Sequence, residues 1–284
     1  MTRPDPLHLD PLCLDADALA ALRRAQRIVV FTGAGVSAES GIPTFRDALT
    51  GLWQRFDAMS LATPEAFQAD PALVWGWYEW RRLKVRASQP NPGHRAIAEL
   101  AALRPQLTLI TQNVDDLHER AGSPQVLHLH GSLHVPRCFD CGSPFEPPAD
   151  AAATADGTAD DSHPRGWRAV ALDHDGQRLT PPPCPACGGA VRPGVVWFGE
   201  ALPADALGSA FAAAEQADLL ISVGTSGVVE PAASIPRVAQ RAGAWVLHVN
   251  PQPMASSGAR VRHLQGSAGE VLPQLAQLLA SLPR

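Results

Sequence analysis

The sequence predicts a parallel α/β sheet covered by helices on both faces, extended by a helical insert and a small cysteine-bearing module. Three observations carry that reading. Five short apolar, β-branched runs recur along the 284 residues, alanine-rich stretches of helical character sit before or between them, and two segments break the alternation. Strands interleaved with helices argue for a parallel sheet buried on both faces.

The strand-like runs are 27–32 (RIVVFT), 107–111 (LTLIT), 126–130 (VLHLH), 219–223 (LLISV) and 245–249 (WVLHV). The helical stretches are 16–24, 94–103, 204–216 and 233–242. The first interruption, 46–90, is rich in tryptophan (Trp53, Trp75, Trp77, Trp80) and is expected to pack on the main domain as a cleft wall. The second, 137–187, holds the cysteine pairs. Its stretch 142–183 is rich in Pro, Ala, Asp and Thr and reads as a long mobile surface loop. The expected organisation is a tail over 1–17, a main domain built from 18–45, 91–136 and 188–284, the helical insert, and the cysteine module.

With 45% apolar residues the chain can bury a substantial core. A formal charge of −5 and an isoelectric point near 6.0 leave no global basic field to draw it onto nucleic acid or an anionic membrane. The opening residues carry prolines and aspartates every few positions, with no apolar stretch of signal-peptide length, and no transmembrane run follows. A soluble, cytoplasmic protein is expected. Cys13, in the tail, reads as incidental.

The first strand runs straight into Gly33-Ala34-Gly35-Val36-Ser37-Ala38, which fits GxGxxG/A at a strand-to-helix turn. In a Rossmann-type sheet such glycines let the backbone approach a pyrophosphate. The motif alone is equally a tight turn without a ligand. Gly41 and Pro43 would stop the following helix early, unlike a dehydrogenase.

Cys138-x-x-Cys141 and Cys184-x-x-Cys187 are two knuckles, each able to present two thiolates to one metal. Four thiolates suit a tetrahedral zinc with no open position, hence a structural one. Redox-active pairs and a nucleic-acid-binding zinc ribbon are the alternatives. The acidic stretch between the pairs (Asp150, Asp156, Asp160, Asp161) would repel phosphate.

The run GAGVSAESGIPTFRD resembles the signature of the sirtuins, NAD-consuming protein deacylases. Residues 111–115 (TQNVD), 129–132 (LHGS), 194–200 (GVVWFGE), 224–226 (GTS), Asn250 and 266–269 (GSAG) are similar to further family segments. The resemblance implies NAD as co-substrate, held by Gly33, Ala34, Gly35, Glu39, Phe45, Arg46, Gln112, Asn113, Asp115, Gly224, Thr225, Ser226, Asn250 and Ala268. It implies His130 and Asn113 at the reacting ribose, and Val195, Val196, Phe198, Gly199 and Glu200 in a strip that pairs with the substrate peptide. It also implies a zinc module at the four cysteines. The implied reaction begins with attack of the acyl-lysine carbonyl oxygen on the ribose C1′, expelling nicotinamide. It ends in free lysine and 2′-O-acyl-ADP-ribose.

Periodicity does not choose the base. Strand alternation over 126–130 puts His128 and His130 on one face, equally eligible. His130 stands at the strand's carboxyl end before a glycine, where open α/β sheets bind ligands, and the family motif marks the same residue. His118, His128 and His134 read as packing or surface residues.

The segment 71–88 reads as a helix with Val74, Tyr78, Arg81 and Val85 on one face. An arginine in such a stripe either snorkels, pairs with a nearby acid or awaits an anion. Tyr78-x-x-Arg81, followed by 91–99 (NPGHRAIAE), is similar to the branch of the family that removes succinyl and malonyl groups. That resemblance implies that Tyr78 and Arg81 bind the distal acyl carboxylate, and Ala48 is small where simple deacetylases carry bulk. Acyl-lysine proteins are then the partners. A plain deacetylase, an ADP-ribosyltransferase using the same NAD pocket and an NAD-dependent dehydrogenase stand as the other readings.

Overall fold

The computed structural model describes residues 12, 14–43, 58–146, 178–254 and 256–281. Phe45, Arg46, Ala48, Cys13, nearly all of the tail, the start of the helical insert and most of the stretch between the cysteine pairs lie outside them.

Six parallel strands form the main sheet: β1 (Ile28–Thr32), β2 (Thr108–Thr111), β3 (Val126–His128), β6 (Leu219–Val223), β7 (Trp245–Asn250) and β8 (Val261–Gln265). Their order is β3-β2-β1-β6-β7-β8, so the winding reverses between β1 and β6. At such a reversal loops diverge above the carboxyl ends and leave a crevice.

Period-2 alternation sends β1 side chains to two cores. Ile28 and Val30 join Leu219, Ile221 and Leu247 beneath α1 (Ala16–Arg24), α6 (Pro92–Leu103) and α10 (Ala268–Ser281). Val29 and Phe31 join Leu220 and Val246 beneath α8 (Ala204–Gln216) and α9 (Ile235–Arg241). The two-faced covering read from the sequence is present.

Helix starts follow local chemistry. The Asp15 carboxylate accepts from the Ala18 N–H at the start of α1. Thr63 caps α4 (Pro64–Ala69), Asp70 caps α5 (Pro71–Ala87) and Asn91 caps α6, each followed by proline at the first helical position. Two more short helices, α3 (Ala58–Leu61) and α7 (Leu117–Arg120), lie in the insert and after β2.

Four elements escaped the sequence reading. The edge strand β8 carries Arg262 and His263 side by side between buried Val261 and Leu264, which breaks the apolar alternation. Helix α10 carries Pro273 in its interior. Strands β4 (Gly131–Cys138) and β5 (Val191–Val195) contain Pro136 and Pro193, residues that normally argue against strands. They form a separate antiparallel pair. The strand expected over 126–130 ends at His128, because Gly131, at φ +73°, turns the chain out of the parallel sheet into β4. A Cβ on Gly131 would lie 2.1 Å from the Gly194 carbonyl oxygen.

A third core joins the insert to this pair. Phe67, Val74, Trp77, Tyr78 and Trp80 pack with Leu133, Phe145, Val191 and Trp197. Among the described residues no helix is long and apolar enough to cross a membrane.

Candidate active site

The glycine turn lies at the reversal point, and its glycines serve backbone packing. Gly33 N–H donates to Val223 O (3.0 Å) and Gly35 N–H to Gly224 O (2.9 Å). A Cβ on Gly35 would sit 2.7 Å from Gly224 Cα, so the loops after β1 and β6 lie against each other with no room for side chains. Helix α2 (Gly35–Ala38) is only four residues long, as Gly41 and Pro43 foretell.

Side chains then converge on the crevice from segments far apart in the chain. Ser37 Oγ donates to Asp115 Oδ2 at 3.0 Å and accepts from Asn113 Nδ2 at 3.1 Å. Asp115 Oδ1 accepts from the Leu117 N–H. Burial holds the Asp115 carboxyl above its ordinary range, against the pull of these hydrogen bonds. Below them Thr32 and Thr111, paired in register on β1 and β2, share a 2.8 Å hydroxyl contact. Thr111 Oγ1 also accepts from the Asn113 N–H, and His118 Nε2 lies 3.0 Å from Thr32 Oγ1. Asn113 is therefore held at both side chain and backbone, and Asp115 at both carboxylate oxygens.

The two eligible histidines now separate. His128 uses both ring nitrogens, Nδ1 toward Asn113 O (3.1 Å) and Nε2 toward Glu119 (2.7 Å). Burial opposes its charge, but Glu119 and that carbonyl outweigh burial and raise its pKa. His130 places Nδ1 2.9 Å from Gln112 O. A carbonyl can only accept, so Nδ1 carries the proton and Nε2 holds the lone pair. Burial lowers the His130 pKa, with the Gln112 carbonyl pulling the other way, so the neutral base persists at working pH.

On the far side of the crevice Asn250 Nδ2 donates to Thr225 O, and Ser222 and Thr225 share a hydroxyl contact, ordering 224–226. Glu39, expected at the nucleotide, anchors the start of α10. Its carboxylate accepts from Ser267 Oγ (2.9 Å) and the Gly269 N–H (2.7 Å). Buried Ala268 packs against Gly93, where a Cβ would lie 3.0 Å from the Ala268 methyl. The donor set of amides, hydroxyls, one buried carboxyl and an imidazole matches the ribose hydroxyls and carboxamide of NAD.

The strip 195–200 is fixed internally. Val196 N–H donates to His130 O, Phe198 N–H to Ala62 O, Glu200 N–H to Trp197 O, and Trp197 N–H to Glu200 Oε2. Any pairing with a peptide falls to the remaining groups of the strip. Glu200, expected to face the peptide, is clamped by Arg192, whose guanidinium carbon lies 3.4 Å from the Trp197 ring centroid.

In the acyl region Arg82, not Arg81, takes the Glu79 carboxylate. Arg81 stands 5.0 Å from the Trp77 ring centroid and 5.5 Å from that of Tyr78.

The four cysteine sulfurs lie within 4.8 Å of one another, with Cys138–Cys187 at 3.5 Å and Cys141–Cys184 at 3.8 Å. A tetrahedron of thiolates about 2.3 Å from zinc has edges of about 3.8 Å, so the cluster fits that ion. Gly142 and Gly188, at φ +71° and +77°, turn the chain after each pair. Only glycine adopts this conformation freely.

Ser37, His94, His118, Thr32, Thr111, Arg192 and Trp197 were not singled out as site residues from the sequence. The two threonines carried a signal, since each closes an apolar run at a strand's carboxyl end.

The Sir2 family matches residues 33–231. An NAD-dependent protein deacylase of Pseudomonas aeruginosa is 63% identical over 254 residues, covering 89% of this chain and 94% of the relative. The crystal structure of a Sir2 homologue in complex with NAD aligns with a TM-score of 0.78 at 44% identity, covering 94% of both chains. A Sir2 protein bound to a myristoylated histone peptide aligns with a TM-score of 0.67 at 32% identity, covering 93% of this chain and 94% of that one.

Proposed function

The chain belongs to the Sir2 family, and on that premise we propose an NAD-dependent protein-lysine deacylase that favours short acidic acyl groups, succinyl and malonyl, with acetyl-lysine a poorer substrate. NAD, when bound, supplies the nicotinamide leaving group and the ribose that takes up the acyl group. The products are nicotinamide, 2′-O-acyl-ADP-ribose and free lysine.

The protein's own part is positioning and one proton transfer. Asp115 and Asn113, held by Ser37 and Thr111, present a carboxyl and an amide where the carboxamide and ribose of the nucleotide would lie. His130 Nε2 accepts the proton of a ribose hydroxyl, while Nδ1–H stays on Gln112 O and keeps the ring in one tautomer. Thr225 and Asn250 support the far ribose and phosphates, and Ala268 abuts the adenine. Phe45 and Arg46 are assigned to the nucleotide from the family motif. The zinc ion, bound by Cys138, Cys141, Cys184 and Cys187, would tie β4 and β5 together without taking part in the chemistry.

The observation that carries the acyl preference is that Arg81 lies against Trp77 and Tyr78, at 5.0 and 5.5 Å from their ring centroids. Glu79 pairs with Arg82, and the guanidinium of Arg81 stands over Tyr78. A planar guanidinium reads a carboxylate in bidentate fashion, and a phenol adds a hydrogen bond. Acyl-lysine proteins are the partners.

The test supplies NAD with acetyl-, malonyl-, succinyl- and longer-chain acyl-lysine peptides and weighs the products. Free lysine with acyl-ADP-ribose, formed fastest from the acidic acyl groups, is expected. ADP-ribose retained on protein would favour a transferase, and equal rates on all acyl groups would remove the preference.

A further inference from the structure

Tyr78 is 2% exposed, and its hydroxyl oxygen is met by a group that can only donate. The indole Nε1–H of Trp197 donates to the Tyr78 oxygen at 3.0 Å, across 119 residues of chain. The Arg81 guanidinium, which has no acceptor either, places its central carbon 5.5 Å from the Tyr78 ring centroid. Burial pushes the Tyr78 pKa up to about 12, so the phenol keeps its proton. Since neither neighbour can accept it, that proton has to be given to a third group, and a buried hydroxyl proton without an acceptor is costly. Trp197 itself cannot turn away, because it is wedged against Arg192, Phe67 and Phe139 and lies in the strip beside His130.

We propose that Trp197 is a specificity-determining positioning residue. Its indole N–H occupies the Tyr78 oxygen and thereby directs the Tyr78 proton toward the acyl group, so that the site reads an acceptor at the distal end of the chain. The inference rests on the acidic-acyl reading above. It adds that the selectivity belongs to a relay, Trp197 to Tyr78 to carboxylate, and not to Arg81 alone.

The experiment compares kcat and KM for succinyl- and acetyl-lysine peptides in the wild type, Trp197→Phe, Tyr78→Phe and the double variant. Trp197→Phe keeps an aromatic ring but removes the donor. The succinyl-to-acetyl ratio of kcat/KM should fall about five- to tenfold, mainly through the succinyl KM, as loss of one buried hydrogen bond predicts. The double variant should be no worse than Tyr78→Phe, because both act on one proton. A wild type that prefers succinyl while Trp197→Phe keeps the full ratio, or losses that simply add, overturns the relay and leaves the acyl reading standing. A wild type without preference overturns both. Should Trp197→Phe fail to fold, the indole N–H resonance of Trp197 in the wild type decides. It should move downfield with a succinyl peptide and stay with an acetyl peptide, and equal behaviour with both refutes the proposal.

Discussion

His130 Nδ1 lies 2.9 Å from the carbonyl oxygen of Gln112, a contact that assigns the ring proton and leaves Nε2 as the base. His130→Ala should lower deacylation by at least about a hundredfold, as loss of a general base does, while NAD binding measured by calorimetry stays within a few-fold. Because burial lowers the His130 pKa, the acid limb of kcat/KM should fall below pH 6.5. A variant that retains near-normal turnover would reassign the base.

Arg81→Met should depress kcat/KM for succinyl-lysine about ten- to a hundredfold, the range for a charge-assisted pair, and leave acetyl-lysine within about threefold. Steady-state kinetics on the two peptides decides it. Equal losses would make Arg81 a structural residue of α5.

The thiolate cluster should hold one zinc ion per chain, measured by plasma mass spectrometry. Cys138→Ser or prolonged chelation should remove it and lower the melting temperature. Phe139, between two of the ligands, packs 5.1 Å from Phe67 and 6.4 Å from Trp197, so the loss should reach the acyl site and raise the peptide KM. Full activity in a zinc-free protein would show that the module is independent of the cleft.

Gly35→Ala places a methyl 2.7 Å from Gly224 Cα, a backbone atom that cannot move aside. The substitution should cost about 2 kcal/mol or more in urea unfolding and abolish NAD binding, since the two loops would part. Ordinary stability with normal NAD affinity would contradict the close approach.

Acid should destabilise the protein through buried neutral histidines. Burial lowers His94 and His248 to about 4 and His118 well below 6.5. A depressed histidine binds fewer protons folded than unfolded, so its stabilising share is complete above pH 6.5 and is lost as pH falls toward 4. His248, with neither ring nitrogen paired, contributes up to about 3 kcal/mol of that loss. His248→Leu should flatten the fall in melting temperature between pH 6.5 and 4. An unchanged slope would show that His248 does not titrate with unfolding.

Legibility from sequence tracked the range of the interaction. Runs such as RIVVFT and LLISV declare buried parallel strands because alternation and branching act within a few residues, and the cysteine pairs declare a metal because knuckle spacing is local. Proline and charge hid β4, β5 and β8, whose pairing is set by distant partners.

The amino-acid order by itself determined the interleaved α/β plan, the thiolate set, the early stop after α2 and a pair of equally eligible histidines. Position at the strand end and the family motif already favoured His130, and the tertiary structure added the reason their chemistry differs, giving both His128 nitrogens to Asn113 and Glu119 and one His130 nitrogen to Gln112. It also gave Glu39 and Glu200 internal hydrogen bonds and placed Trp197 on Tyr78. The reason is physical: a side chain's protonation and aim depend on which donors and acceptors surround it once buried, and those neighbours arrive from segments far apart in the chain.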